Sequence, residues 1–308
     1  MRVIRGYKLL GELSAQNAGF CKWNFCEKGG REYFIKEFLS PTYPADNSDL
    51  SEKILARKRK LCETFYADKK EFYDVIGCCR TGNIMQIQEF FRSGTKYYIV
   101  TDKVDSSGTA PDLISCLSKE KKETFLRSIL YSISKLHQAK IVHADLKPDN
   151  ILLKETAEGY YTAKIVDFDA GFLVGKSPAD IQGDFIYLAP EVYLKMNEED
   201  VHLDEKIDIF ALGILFHQYW TGTLPKVGSD YKYAFEAVLD GSEVQLSNSI
   251  PLELRTFISR MLAKDPAARP SAEEILTKFR KKDVRTDSCN SASHGSPPPG
   301  FYVPTDLD

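Results

Sequence analysis

The chain has 308 residues, and its 43% hydrophobic content is enough for one large domain or two lobes with cores of their own. Charged residues make up 28% of the sequence and nearly cancel, which leaves a formal net charge of −3. Because there is no basic excess and no long apolar stretch, we expect neither nucleic acid nor membrane among the main partners. The first sixteen residues lack a continuous apolar run, so we expect no signal peptide.

The seven cysteines form no repeated C-x-x-C pattern, and their number is odd. Cys78 and Cys79 are adjacent, which suits neither an ordinary disulfide nor a tetrahedral zinc site. We therefore predict free, mostly buried thiols and a reducing, cytoplasmic location.

The first third of the chain reads as short strands followed by one long helix. Lys28-Gly29-Gly30 predicts a hairpin turn between the second and third strands. The helix is predicted where Pro and Gly are absent and Lys, Glu, Leu and Ala are frequent. Two further strands follow, joined by a turn at residues 92–95. The predicted strands are residues 7–13, 20–27, 32–38, 83–91 and 96–104, and the predicted helix is residues 51–76.

From Pro111 onward, helical patterns dominate the sequence. Residues 110–117 and 121–139 are predicted helices, and apolar residues recur at helical spacing in the second of them. Short strands are predicted around residues 151–153 and 163–166, and residues 190–279 are predicted to be mainly helical. Residues 281–308, rich in Ser, Pro and Gly, are predicted to be a flexible tail. The pattern indicates a small β-rich lobe followed by a larger helical lobe.

Two polar motifs carry the chemistry. Residues 143–150 read H-A-D-L-K-P-D-N and stand just before an apolar strand, and Pro148 prevents a continuing helix there. Residues 165–171 read I-V-D-F-D-A-G, so an aspartate directly follows an apolar strand. A carboxylate in that place is well suited to hold a divalent cation with oxygen ligands.

With these two motifs, the sequence resembles the protein kinase superfamily, whose loops read H-R-D-L-K-P-E-N and D-F-G. Three further segments resemble the family in the same order: residues 183–191 (G-T-x-x-Y-x-A-P-E), 208–213 (D-x-W-S-x-G) and 262–270 (L-x-x-D-P-x-x-R-P). The resemblance extends over about residues 7–280. It implies an α+β, bilobal protein-kinase-like fold, with residues 1–102 as the small lobe and residues 105–280 as the large one. It also implies ATP and magnesium as cofactors and a protein as substrate.

The resemblance assigns roles to residues of the two motifs. Asp145 matches the catalytic aspartate, which orients the substrate hydroxyl and accepts its proton. Lys147 is similar to the lysine that steadies the γ-phosphate in Ser/Thr kinases. Asn150 and Asp167 are implied to hold magnesium, and Asp149 to approach the ribose.

In the small lobe, residues 33–36 read Y-F-I-K where the family has V-A-I-K. A lysine in a strand is more often on the solvated surface, but the three apolar residues before Lys36 favour an inward-facing side chain. Lys36 is implied to bind the α- and β-phosphates and to pair with a glutamate of the long helix. We favour Glu71, because Val75 lies one turn on, where the family packs an apolar residue, and because the spacing to the next strand at Asn83 also fits. Glu63 is the alternative.

The strand at residues 98–104 resembles the adenine hinge. Thr101 is implied to be the gatekeeper, and the backbones of Asp102 and Val104 are implied to meet the base. Leu152 and Gly19 complete the implied nucleotide-binding set.

Three more residues are implied to be structural. Glu191 and Arg269 resemble the buried ion pair that braces the large lobe. Asp208 resembles the residue that anchors the catalytic loop.

The glycine-rich loop and the adenine pocket depart from the family pattern. Ala18 and Cys21 stand where the family has glycine, which limits how closely backbone N–H groups approach the phosphates. Trp23 and Phe34 stand where the family has Val and Ala, so we expect a crowded or reshaped adenine pocket.

Three further replacements lie in and after the catalytic loop. Ala144 replaces an arginine that binds a phosphorylated activation segment, so we predict activity without that phosphorylation. Asp169 replaces the glycine of D-F-G, either as an added metal ligand or as a stiffener of the segment. Asp184 replaces a threonine and is expected near Lys147.

The favoured interpretation is a Ser/Thr protein kinase, because Lys36, Asp145, Asn150 and Asp167 are all retained. A pseudokinase that binds nucleotide or acts as a scaffold is the first alternative. A kinase of small molecules is the second, although the complete A-P-E segment and the D-L-K-P loop argue against it.

Overall fold

The computed structural model describes residues 2–16, 21–45, 48–79, 81–104, 111–157, 159–178, 181 and 183–286, with the backbone alone for residues 280–286. The small lobe is built on a six-stranded sheet with the order β1-β2-β3-β4-β6-β5, in which every neighbouring pair is antiparallel. Its strands are β1 Val3–Ile4, β2 Tyr7–Leu9, β3 Cys21–Lys28, β4 Arg31–Phe38, β5 Ile87–Ser93 and β6 Lys96–Asp102.

The turn between β3 and β4 fixes which side chains share a face of this sheet. Gly29 and Gly30 both have positive φ, at 64° and 78°, as a tight two-residue hairpin turn requires. The ladder then pairs Trp23 with Lys36 and Phe25 with Phe34. Since directly paired residues lie on one face, the aromatic side chains and the lysine point to the same side of the sheet.

The long helix α1, Glu52–Cys78, packs beside the sheet. Glu52 in its first turn complements the helix dipole. Its buried residues Cys62, Phe72, Tyr73 and Ile76 join the main core, and Ile76 follows Phe72 and Tyr73 at spacings of four and three, as one face of a helix requires. The face that carries these residues is therefore the inward face of α1.

The large lobe is mainly helical. Its central helix α5, Lys206–Thr221, is apolar on all sides and almost wholly buried. The helix ends at Gly222, where φ is 80° in the left-handed region. The helices are α2 Pro111–Ser115, α3 Lys119–Gln138, α4 Pro190–Met196, α5 Lys206–Thr221, α6 Ala234–Leu239, α7 Leu252–Met261 and α8 Ala272–Thr286.

Two short antiparallel pairs lie at the junction of the lobes. β7, Ile141–Val142, pairs with β10, Phe172–Leu173, and sequence periodicity did not predict either strand. β8, Ile151–Glu155, pairs with β9, Tyr161–Ile165. The first polar motif lies between β7 and β8 and the second lies between β9 and β10, so these strand pairs bring the two motifs together at the junction of the lobes.

The predicted fold class is confirmed: an antiparallel sheet lobe with one long helix precedes a helical lobe. The last helix runs to Thr286, beyond the boundary predicted at residue 280, and the flexibility of the tail stays a prediction. The six cysteines of the described part are free thiols, and four of them are buried. No helix within the described ranges combines the length and the apolar character needed to cross a bilayer.

Candidate active site

The loop that follows β7 is anchored by a buried carboxylate. Asp208, on α5, is 1% exposed and accepts hydrogen bonds from the backbone N–H groups of His143 and Ala144, both at 2.9 Å. Its Oδ2 also lies 3.0 Å from His137 Nε2. Ala144 sits at a positive φ of 65°, so these bonds stabilise a turn that its side chain disfavours. The structure thus gives Asp208 the anchoring position that the sequence indicated.

Asp145 is held by two neighbours of the same loop. Asn150 Nδ2 donates to the Asp145 carbonyl oxygen at 2.7 Å and to its Oδ2 at 3.0 Å. Lys147 Nζ lies 2.8 Å from the same Oδ2. The side chain of Asp145 is 20% exposed, so it is fixed yet accessible from the cleft.

Lys147 sits among three acidic residues. Burial works against its charge, but Asp145, followed by Asp184 and Asp167, raises the pKa of Lys147 above its usual value. The expected proximity of Asp184 to this lysine agrees with that electrostatic coupling. Lys147 therefore remains a cation through the physiological pH range.

Asp167 is presented by a strained backbone just after the β8–β9 hairpin. Its φ is 63°, in the left-handed region. The next residue, Phe168, is 1% exposed and its ring packs against His143 with centroids 4.8 Å apart. His143 Nε2 also lies 3.0 Å from the carbonyl oxygen of Val166. The buried Phe168 and His143 therefore join the two polar motifs.

Lys36 reaches this edge from β4, as its three apolar predecessors indicated. Its Nζ lies 2.6 Å from Asp167 Oδ1 and 2.9 Å from Asp169 Oδ2, and its side chain is 10% exposed. Burial opposes the charge, but the carboxylates of Asp169 and Asp167 raise the pKa of Lys36 above its usual value. Burial likewise favours a neutral Asp167, yet Lys36 holds the pKa of that carboxyl below its usual value.

The predicted pairing of Lys36 with Glu71 is wrong. Glu71 is half exposed and both of its carboxylate oxygens accept from Lys176 Nζ at 2.7 Å. The alternative, Glu63, is exposed on α1. The helix residue nearest to the acids is Lys69, whose Nζ donates to the carbonyl oxygen of Asp169 at 2.7 Å.

Sequence reasoning missed Lys69 and assigned Asp169 no firm role. The sequence could have indicated the inward position of Lys69, because this lysine stands three residues before Phe72 and four before Tyr73, on the face of α1 that is buried. Glu71, two residues further on, is rotated by about 200° from Lys69 at 100° per residue. That rotation carries Glu71 to the outer side of the helix.

The predicted hinge and pocket residues lie on and after β6 and on β8, and their contact with a nucleotide base stays a prediction. Thr101, 2% exposed, pairs with Phe34 across the sheet, so the gatekeeper lies on the face of Lys36. The side chain of Asp102 accepts from Arg31 and Gln88 outside the cleft.

Val104 follows β6, half-buried. Leu152, on β8, is half-buried and points opposite to the buried Ile151 and Leu153. Asp149 is exposed in the short turn Pro148–Asn150. Gly19, like Ala18, lies outside the described residues.

Three aromatic rings cover the sheet face beside Lys36. The ring centroids of Trp23 and Phe34 are 5.3 Å apart, those of Phe25 and Phe34 are 5.8 Å apart, and those of Trp23 and Phe25 are 5.9 Å apart. Trp23 Nε1 donates to the carbonyl oxygen of Gln16 at 2.9 Å, which fixes the indole. The crowding expected from Trp23 and Phe34 is thus a packed cluster that includes Phe25 as well.

The brace of the large lobe is present as predicted. Arg269 Nη1 and Nη2 donate to Glu191 Oε1 and Oε2 at 2.6 and 2.9 Å. The two side chains are 0% and 6% exposed. This bidentate pair ties α4 to the segment before α8.

The fold is that of the protein kinases. So is the grouping at the junction of the lobes of four polar residues: Lys36, Asp145, Asn150 and Asp167. Residues 50–279, more than half of the chain, match the family described as protein kinase domain. The chain therefore belongs to the protein kinase family. The match begins after Lys36 and after the glycine-rich loop, the part in which the sequence departs most from the family pattern.

Curated relatives agree with this membership. The chain is 26% identical over 251 residues to the probable serine/threonine-protein kinase MARK-A of Dictyostelium discoideum, an alignment that covers 80% of this chain and 23% of that protein. It is 32% identical over 164 residues to sperm motility kinase Z of Mus musculus, covering 53% and 31%. It is 34% identical over 170 residues to the Wee1-like protein kinase of Oryza sativa subsp. japonica, covering 52% and 30%. The chain spans less than a third of the length of each of these relatives.

Proposed function

We propose that this chain is an active protein kinase that transfers the γ-phosphate of ATP to serine or threonine hydroxyls of protein substrates. One observation carries the proposal: Asp145 is held in place by Asn150 and Lys147 while Lys36 reaches Asp167 from the opposite lobe. A decaying site would not need to keep Asn150 and Lys147 on Asp145, or the contact of Lys36 with Asp167 between the lobes.

Asp145 is the residue that would accept the proton of the substrate hydroxyl. Its carboxylate is partly exposed, and its contacts come from donors only, Asn150 Nδ2 and Lys147 Nζ. Donors of this kind orient the carboxylate. Lys147, a cation beside Asp145, would steady the negative charge on the transferring phosphoryl group.

The donor set fits magnesium and the ATP phosphates. Asn150 directs its amide nitrogen to Asp145, so its amide oxygen is the polar atom left for a metal. Asp167 offers a carboxylate. Magnesium prefers oxygen ligands and keeps several waters. When bound, the metal supplies neutralisation of the phosphate charge. Lys36 would bind the α- and β-phosphates, and Leu152, Asp102 and Val104 would contact the base.

The preference for serine and threonine rests on two supports. Lys147 follows Asp145 at the spacing that resembles Ser/Thr kinases. MARK-A, a relative aligned over most of this chain, is described as a probable serine/threonine-protein kinase.

The alternative is a pseudokinase, and the aromatic cluster of Trp23, Phe25 and Phe34 favours it. Each ring lies within 6 Å of the other two on the face that a nucleotide base would use. Such a cluster either leaves room for the base to stack against it or fills the space itself.

The deciding experiment is transfer of labelled γ-phosphate from ATP with magnesium to the protein itself and to a generic basic protein. Asp145→Asn and Asp167→Asn test the site, and Asp74→Asn, an exposed change on α1, serves as a matched control. We expect label on serine or threonine that is lost in both site variants and kept in the control. Folded protein that transfers no label, or label that survives Asp145→Asn, would refute the proposal.

A further inference from the structure

Four charged residues form one cluster between β4, α1 and the segment after β9, and we call them the cleft charge cluster: Lys36, Lys69, Asp167 and Asp169. Lys36 Nζ contacts both carboxylates, at 2.6 and 2.9 Å. Lys69 Nζ contacts the backbone oxygen of Asp169 at 2.7 Å. Asp169 is therefore the one member that touches both lysines, one through its side chain and one through its main chain.

The helix supplies a cation to this cluster instead of an acid. Lys69 lies on the inward face of α1, with its Nζ 5.5 Å from the centre of the Phe72 ring and 5.7 Å from that of Tyr73. Burial lowers the pKa of Lys69, Asp169 is the strongest influence in the opposite direction, and the nearby Lys36 adds weakly to the lowering. Two ammonium groups so placed repel each other unless an anion lies between them. Asp169 lies against both ammonium groups, with its carboxylate on Lys36 and its carbonyl oxygen on Lys69.

We propose that Asp169 is the positioning residue for Lys36, taking over the part that the resemblance assigned to a helix glutamate, and that it also offsets the charge of Lys69. The inference rests on the proposed function, in which Lys36 binds the nucleotide phosphates. Because Asp167 is proposed to share its carboxylate with magnesium, Asp169 is the acid that remains dedicated to Lys36.

The contacts of Asp169 favour a role as the ion-pair partner of Lys36 over a role as an added metal ligand. Its Oδ2 is 2.9 Å from Lys36 Nζ and 3.5 Å from Cys21 Sγ. Burial and then Asp169 raise the pKa of the Cys21 thiol, which is therefore a neutral donor. Both neighbours donate hydrogen bonds to that oxygen, and such contacts orient a carboxylate for an ion pair.

The first test measures the ion pair without nucleotide and does not depend on kinase activity. Lys36→Met, Asp169→Asn and the double variant are unfolded thermally beside the parent. We expect the loss of melting temperature in the double variant to be clearly smaller than the sum of the two single losses, since the second change removes a group already without its partner. Additive losses would overturn the proposal, whether or not the chain is an active kinase.

The second test moves the acid from the segment after β9 back to the helix. Binding of ADP is measured by titration calorimetry, with EDTA and with magnesium, for the parent, Asp169→Gly, and the double variant Lys69→Glu/Asp169→Gly. We expect Asp169→Gly to raise the Kd roughly tenfold, the effect of one ion pair worth about 1.4 kcal/mol. The double variant should recover most of that loss, and Asp74→Asn should leave the Kd unchanged.

Two outcomes would overturn the assignment. A double variant that binds ADP no better than Asp169→Gly shows that an acid on the helix cannot replace Asp169. A loss of affinity seen with magnesium and absent with EDTA makes Asp169 a metal ligand. If the parent binds no ADP at all, the proposed function fails, and the thermal cycle still decides whether Asp169 holds Lys36.

Discussion

Replacing Glu191 by glutamine should destabilise the large lobe more than any change at an exposed ion pair. Arg269 is fully buried, and Glu191→Gln leaves its positive charge without a counter-charge. Breaking one side of a buried ion pair costs about 3–5 kcal/mol. Three backbone carbonyls, those of Ala263, Lys206 and Lys264, still accept from the guanidinium. We therefore expect the lower end, a loss of about 3 kcal/mol in the free energy of unfolding.

The measurement is urea unfolding at constant pH, followed by tryptophan fluorescence. The chain has two tryptophans, Trp23 in the small lobe and Trp220 on α5, so a Trp23→Phe background leaves one reporter in the large lobe. Trp220 is 7% exposed, which makes its emission sensitive to unfolding. In this background the transition reports on the lobe that the ion pair braces.

Two comparisons make the result decisive. Glu71→Gln breaks the exposed pair with Lys176, whose partners are 51% and 58% exposed, and should cost no more than about 1 kcal/mol. Glu191→Gln combined with Arg269→Met should be less destabilised than Glu191→Gln alone, because the unpaired charge is gone. A Glu191→Gln variant within about 1 kcal/mol of its parent would refute the reasoning.

Three further predictions follow from the site and the large lobe. Burial lowers the pKa of His217, so the stability that its neutral ring contributes is present above the unfolded pKa of about 6.5 and is lost as the pH falls below that value. Between pH 7.5 and pH 5.5, His217→Gln should therefore lose less free energy of unfolding than the parent, as measured by urea titration. Trp23→Val with Phe34→Ala should open the cleft and lower the KM for ATP several-fold, and an unchanged or higher KM would show that the rings support the base instead. Because Ala144 removes the arginine for a phosphorylated segment, phosphatase treatment should leave the initial rate of transfer unchanged, and a rate that drops to background would contradict this.

The motifs of the large lobe were predictable because short-range chemistry determines them. Pro148 excludes a helix, the apolar stretches around residues 151–153 and 163–166 form the β8–β9 hairpin, and this hairpin brings Asn150 and Asp167 to one edge. The inward position of Lys36 was predictable for a similar reason, because three apolar residues directly precede it on the same strand. In these places the local pattern and the tertiary structure agree.

The partner of Lys36 was not predictable from spacing alone. The choice of Glu71 used its distance along the chain to the next strand, but the turn between α1 and β5 can absorb residues, so that distance does not set the helical phase. The phase is set by what is buried, and Cys62, Phe72, Tyr73 and Ile76 turn Lys69 inward. A helix residue is placed by the whole apolar face of its helix.

Two departures from the family pattern near Lys36, Lys69 on the inward face of α1 and Asp169 after Phe168, are best understood as one change. A lysine on the inward face of α1 would confront Lys36 with a like charge and leave it without a helix acid. An aspartate in place of the glycine after Phe168 would, by itself, add an acid beside Asp167, and two close carboxylates repel each other. Together the two replacements balance, because Asp169 reaches Lys36 at 2.9 Å and offers its carbonyl oxygen to Lys69 at 2.7 Å. Each replacement removes the electrostatic cost that the other would impose, because the cluster then holds two cations and two anions. Lys36 keeps a carboxylate partner, which the segment after β9 supplies in place of the helix.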